Sequence, residues 1–195
     1  NGEFGSVMHM EHNNLELSNK KIFIIGFGRI GKKLIKRCLG FEMQVYAYDP
    51  YVEKKVIESF GGIKIENLSD GLKKADIISL CVPLTQETKN MITLDKMKIM
   101  KKNAIIINTS RGGIINEKDL NEALNKKIIY GAGLDVFEKE PPDNKNPLLK
   151  NKRIVLSPHA ATFTKECLSK MSIETAQNII NFFDNKLDKN SVVEI

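Results

Sequence analysis

A chain of 195 residues with 42% hydrophobic side chains is long enough for one sizeable domain with a closed core. The net charge of +6 comes from lysines scattered along the chain, with no clustered or aromatic-interleaved basic run, which argues against a nucleic-acid partner. Cys38, Cys81 and Cys167 are far apart and form no CxxC pair, which favours a reducing compartment over a disulfide framework or a zinc site. No apolar run approaches the roughly 20 residues that span a bilayer, so a cytoplasmic protein with no membrane or metal partner is expected.

Residues 1–14 are polar, carry His9 and His12, and are expected to be a tag or linker. Residues 15–187 then alternate between short β-rich runs and segments of helical spacing. The predicted strands are KIFIIG (21–26), QVYAYD (44–49), DIISLCV (76–82), NAIIIN (103–108), YGAGLDV (130–136) and RIVLSP (153–158). The predicted helices are 29–40, 52–61, 70–76, 94–100 and 116–127, with 165–187 as one long closing helix and 188–195 as a short tail. Several strands are continuous apolar runs, as when helices cover both faces of a parallel sheet. The pattern predicts a doubly wound α/β domain, a Rossmann fold, whose ligands sit at the C-terminal ends of the strands.

GFGRIG, Gly26 to Gly31, follows the first predicted strand and opens the first helix. Gly26 suits a tight turn, Gly28 a close backbone approach to a pyrophosphate, and Gly31 close helix-to-sheet packing. The second strand ends at Asp49, about 20 residues on, where an acid can hold the adenosine ribose hydroxyls and repel a 2′-phosphate. That favours NAD over NADP. Glycines at this spacing also serve as plain turns, Asp49 could cap the turn before Pro50, and a methyltransferase using S-adenosylmethionine can share the arrangement.

Later strand ends carry polar groups. Thr109, Ser110 and Arg111 follow NAIIIN, and an arginine between small residues suits bidentate pairing with a substrate carboxylate. Asp135 ends YGAGLDV on the side where a nicotinamide would lie, and Glu140 precedes a Pro-Pro pair that stiffens the chain. His159, the single histidine after residue 12, follows RIVLSP and is matched to proton transfer near neutral pH. Taken singly, Arg111 and Glu140 read more readily as solvated loop residues and His159 as a hydrogen-bonded core group.

Six motifs in order, GFGRIG, YDPY, VPLTQETKNMI, NTSRGGIINE, GAGLDVFEKEP and SPHAAT, closely resemble the nucleotide-binding domain of the NAD-dependent D-2-hydroxyacid dehydrogenases. The resemblance runs from about Leu15 to about Leu187. It implies NAD as cofactor and a 2-hydroxy or 2-oxo acid as substrate. It also implies Arg111 as substrate anchor, Glu140 as acid partner and His159 as acid/base. Arg29 and Ile30 match the pyrophosphate-facing pair, and Val82 and Pro83 a loop on the adenosine side. Thr109, Ser110, Ala160, Ala161 and Thr162 match further cofactor-lining positions, and Asp135 the acid near the nicotinamide. D-3-phosphoglycerate dehydrogenase, in serine biosynthesis, is the favoured member, with glyoxylate/hydroxypyruvate reductase or an NAD-sensing corepressor as alternatives. The resemblance further implies a homodimer through this domain. The family's substrate domain is expected to be missing here, so that the chain alone would turn over 2-oxo acids poorly.

Overall fold

The computed structural model describes residues 15–188 and Val192; the expected leader 1–14 lies outside these residues. The chain forms two compact units, Asn1–Pro158 and His159–Ile195. In the first, seven strands form one sheet in the order β3-β2-β1-β4-β5-β6-β7. They are β1 (Lys21–Ile25), β2 (Gln44–Tyr48), β3 (Ile63–Lys64), β4 (Ile77–Leu80), β5 (Ile105–Asn108), β6 (Gly131–Leu134) and β7 (Ile154–Leu156). Every pairing is parallel, from Ile22 opposite Val45 on one flank of β1 to Ile22 opposite Ile77 on the other. The crossovers carry α1 (Arg29–Gly40), α2 (Lys54–Ser59), α3 (Leu68–Lys74), α4 (Leu94–Lys98) and α5 (Glu117–Asn125).

The core explains the unbroken apolar runs. Along β1, Ile22 and Ile24 join a cluster with Phe27, Ile35, Val45 and Ile57, while Phe23 and Ile25 join a second with Leu72, Ile78, Leu80 and Ile106. Successive side chains point to opposite faces, so on a strand covered on both sides every position faces a core. Each fully buried aliphatic side chain contributes about 1.5–3 kcal/mol.

Three differences from the sequence reading have local causes. β3 was not expected: it is a two-residue edge strand behind Gly61 and Gly62, too short to show any period. A 3-10 turn at Pro147–Lys150, capped by the Asn146 side chain on Leu148 N–H, falls between the predicted elements. α3 starts at Leu68, ahead of the expected residue 70, because the Asn67 side chain accepts from Ser69 N–H and caps it.

The second unit is dominated by α6 (Lys165–Phe183), N-capped by Thr164, whose hydroxyl oxygen accepts from Cys167 N–H. The helix expected over 165–187 is thus present, but none of its residues is buried, and Leu168, Met171, Ile179 and Phe182 are exposed at helical spacing. Its period is that of an amphipathic helix, and among the described residues no partner within its own unit covers it.

At the N-terminal edge of the sheet, Asp76 ties three strands together. Its carboxylate accepts from Lys21 N–H at 2.9 Å and from Lys101 Nζ at 2.7 Å, while its carbonyl accepts from Ile105 N–H at 2.9 Å. Burial pushes this carboxyl up, but the Lys101 and Lys21 hydrogen bonds and the lysine charges outweigh it and hold the group below the usual carboxylate range. Because the folded carboxyl titrates below its unfolded value of about 3.9, the stabilisation is complete above that pH and fades as pH falls through the lower folded value. Asp76→Asn should therefore lower unfolding stability by about 1–3 kcal/mol at pH 7. Urea unfolding from pH 7 down to pH 3 should show the gap between variant and wild type closing; a gap constant across that range would contradict the assignment.

Candidate functional site

The strand order changes direction at β1. The chain goes outward from β1 to β2 and β3, then returns to β4 on the other side, leaving a crevice beyond the C-terminal ends of β1 and β4. Gly26 leaves β1 with φ +94°, and a Cβ there would lie 2.5 Å from the Cys81 carbonyl oxygen after β4. A Cβ on Gly31 would lie 2.4 Å from the Gly26 carbonyl oxygen. Only glycine lets the turn and the first helix sit this close. Gly28 is the N-cap of α1, exposed, with open space before it and no side chain to occupy the first-turn N–H groups. Arg29 and Ile30 begin the helix and are also exposed.

A cavity of about 380 Å³ fills the crevice, lined among others by Gly26, Gly28, Asp49, Tyr51, Val82 and Pro83. Asp49 is braced from both sides: its carboxylate accepts from Phe27 N–H at 2.8 Å and from Tyr51 N–H at 2.9 Å. The acid at the end of β2 is thereby fixed to the glycine turn itself. Across the cavity, the loop after β4 is held by buried Thr88, whose hydroxyl accepts from Thr85 N–H at 2.7 Å and donates to the Pro83 carbonyl at 2.6 Å. Burial pushes the Cys81 thiol up, against a smaller opposing effect of the Ser79 hydroxyl, so the thiol stays neutral near pH 7. Anionic phosphates suit the glycine turn and helix start, and a ribose diol suits Asp49. The residues present fit the adenosine and pyrophosphate half of a dinucleotide.

The ends of β5 and β6 form a second polar group. Asn108, 2% exposed, accepts from both the N–H and the hydroxyl of Ser110 and donates to the Arg111 carbonyl at 2.8 Å. This Asx turn presents Arg111 at the surface, with Nη1 donating to the Ser110 carbonyl at 2.6 Å. Gly112 lies against the next strand end so closely that a Cβ would meet the Phe137 carbonyl oxygen at 1.8 Å. Asp135, 2% exposed, accepts from the Ser157 hydroxyl at 2.5 Å, joining the ends of β6 and β7. Glu140 is exposed and accepts from Phe137 N–H at 3.0 Å. Glu117 and Glu138 exchange backbone-to-carboxylate bonds, at 3.0 Å and 2.5 Å.

The expected cofactor residues Gly26, Gly28, Asp49, Val82 and Pro83 therefore meet around one cavity, while Gly31 packs directly beneath the turn. Thr109 and Ser110 do not line that cavity; they sit at the end of β5, and the Ser110 hydroxyl serves the turn. Arg111, Asp135 and Glu140 follow β5 and β6 in the first unit. His159, Ala160, Ala161 and Thr162 belong to the second unit, where His159 is exposed with φ +52°. Sequence reasoning assigned no role to Tyr51, Glu87 or Thr88 on the cavity walls, nor to Asn108. A signal existed for Asn108, an Asx residue at a strand end followed by small residues; Glu87 carried none. Among the described residues, no group of three His, Cys, Asp or Glu side chains could hold a metal, and no helix is long and apolar enough to cross a membrane.

An all-parallel sheet with a glycine turn and a braced acid at its switch point defines a dinucleotide-binding α/β domain. The family model described as D-isomer specific 2-hydroxyacid dehydrogenase, NAD binding domain, matches residues 1–161, and the chain belongs to this family, whose cofactor is NAD. It is 42% identical over 178 residues to D-3-phosphoglycerate dehydrogenase of Methanocaldococcus jannaschii, covering 91% of this chain and 34% of that protein. It is 43% identical over 178 residues to glyoxylate reductase of Thermococcus litoralis, covering 90% of this chain and 53% of that one. The crystal structure of D-lactate dehydrogenase with NAD+ from Lactobacillus jensenii superposes with a TM-score of 0.83 at 31% identity, over 93% of this chain and 58% of that one. The chain thus spans between a third and about half of the length of these two curated relatives.

If Asn108 braces the turn that carries Arg111, Asn108→Ala leaves the Ser110 donors and the Arg111 carbonyl without their partner. Unfolding stability should fall by about 1–3 kcal/mol, and the amides of residues 110–113 should exchange faster in hydrogen-exchange measurements. Unchanged exchange there would show that the turn is held by other contacts.

Proposed function

We propose that this chain is the NAD(H)-binding part of an oxidoreductase that interconverts a D-2-hydroxy acid and its 2-oxo acid, with D-3-phosphoglycerate dehydrogenase as the favoured activity. The observation that carries the reading is the cavity at the β1/β4 switch point, with the Gly26 turn at its base and Asp49 braced on its wall. Family membership and the phosphoglycerate dehydrogenase relative support it. A glyoxylate reductase is the second reading, favoured by the similar identity to relatives of that name.

Bound NADH supplies the hydride that reduces the C2 carbonyl. In this proposal Arg111 holds the substrate carboxylate through its planar fork of donors, which suits bidentate pairing. His159, protonated, gives the carbonyl oxygen its proton, and in reverse takes the hydroxyl proton when neutral. Glu140 would hold the imidazole in position and favour its charged form. Gly26, Gly28, Arg29, Ile30 and Gly31 would take the pyrophosphate; Asp49, Val82 and Pro83 the adenosine; Asp135 the nicotinamide side; and Thr109, Ser110, Ala160, Ala161 and Thr162 further cofactor-lining positions. We further propose that residues 15–187 act as one cofactor-binding domain in a cytoplasmic homodimer.

NADH fluorescence titration should show saturable binding to the chain, and His159→Asn should leave that affinity nearly unchanged. The longer polypeptide containing this chain should prefer phosphohydroxypyruvate in kcat/KM over hydroxypyruvate and glyoxylate. His159→Asn in it should cost about 10²- to 10⁴-fold in kcat. A preference for glyoxylate would favour the second reading, and a large loss of NADH binding on His159→Asn would show the histidine to be structural. The 195-residue chain should oxidise NADH poorly with all three acids; rates typical of a complete enzyme would contradict the expectation that a substrate domain is needed.

A further inference from the structure

The cavity assigned to adenosine has two acidic walls. Asp49 stands at the end of β2, and Glu87 stands on the loop after β4 facing it; both line the same space. Tyr51 joins the two sides: its phenol donates to Glu87 Oε2 at 3.2 Å, and its own N–H donates to Asp49 Oδ1. The loop beneath Glu87 is fixed by the Thr88 hydrogen bonds to Thr85 and Pro83, so the carboxylate is presented from a braced backbone. Among the described residues Glu87 has no ion-pair partner, and its hydrogen-bond partner is Tyr51.

We propose that Glu87 is a second carboxylate that turns a 2′-phosphate away from this pocket, so that selectivity for NAD(H) over NADP(H) rests on Asp49 and Glu87 together. The inference rests on the proposed role of the cavity as the adenosine half of the NAD site. Its physics is simple. The ribose 2′ position of a nucleotide held by Asp49 lies within a cavity walled by both acids. A phosphate there carries nearly two negative charges and meets two carboxylates with no paired cation on Glu87. The Tyr51 phenol reports the same field: the Glu87 charge first, and the Asp49 charge further down, push its ionisation up. One extra carboxylate near a phosphate at a protein surface is worth about tenfold in an equilibrium constant, and less as salt rises.

The test is titration of the 195-residue chain with NADH and with NADPH at low and at high ionic strength, for wild type, Asp49→Ser, Glu87→Gln and the double variant. Glu87 and Tyr51 are exposed, and thermal melts should show the Glu87 variant as stable as wild type. Asp49→Ser alone should keep roughly a tenfold preference for NADH, and adding Glu87→Gln should bring the two cofactors to within about threefold. Glu87→Gln alone should tighten NADPH binding while leaving NADH within about threefold, and the gain should shrink at high salt. If NADH binds and Glu87→Gln leaves the NADH/NADPH ratio unchanged in both backgrounds, the second acid plays no part and the proposal fails while the dinucleotide reading stands. If wild type binds neither cofactor, both fail.

Discussion

The structure depends on the reversal of strand order at β1. A parallel sheet buried on both faces leaves its backbone polar groups accessible at strand ends, and where neighbouring crossovers leave in opposite directions those ends part to form a crevice. Here the parting lies between β1 and β4, and the contacts on each side are closer than a side chain permits: Gly26 against the Cys81 carbonyl, Gly31 against the Gly26 carbonyl. The first helix is therefore pressed onto the turn with its N-terminus toward the opening. The same turn fixes the next strand end, because Phe27 N–H holds the Asp49 carboxylate. Turn, helix start and acid move as one piece.

Further along the sheet the same economy is achieved with side chains. Asn108 shapes the loop that carries Arg111, Ser157 binds Asp135, and Glu117 and Glu138 exchange bonds across neighbouring loops. Buried polar groups such as Asn108 and Asp135 stabilise only when satisfied, and no buried side-chain nitrogen or oxygen among the described residues is left without a partner. The strand ends after β5 and β6 are consequently braced by their own side chains, as the proposed substrate anchor Arg111 requires.

Much of this was legible in the sequence because the signals are local. The apolar runs gave the sheet, GFGRIG gave the turn, and an acid about 20 residues on gave the second wall. The helix over 29–40 came out as expected, and the fold brings Gly26, Gly28, Asp49, Val82 and Pro83 around one cavity. What escaped depends on contacts between distant segments. Glu87 reads as one more loop acid until the fold sets it opposite Asp49, and β3 is two residues long. Helix 165–183 shows the converse: its apolar period announces a buried stripe, yet nothing among the described residues of its own unit buries it. Periodicity reports that a face needs a partner, not where the partner is.

In the proposed function the dinucleotide sits in the crevice between β1 and β4. Hydrogen exchange of the chain with and without NADH tests it most directly. The account predicts protection concentrated in residues 26–31, 49–51 and 81–88. Protection confined to the opposite end of the sheet, around the cavity of about 260 Å³ lined by Leu17, Lys20, Asp76 and Tyr130, would contradict it.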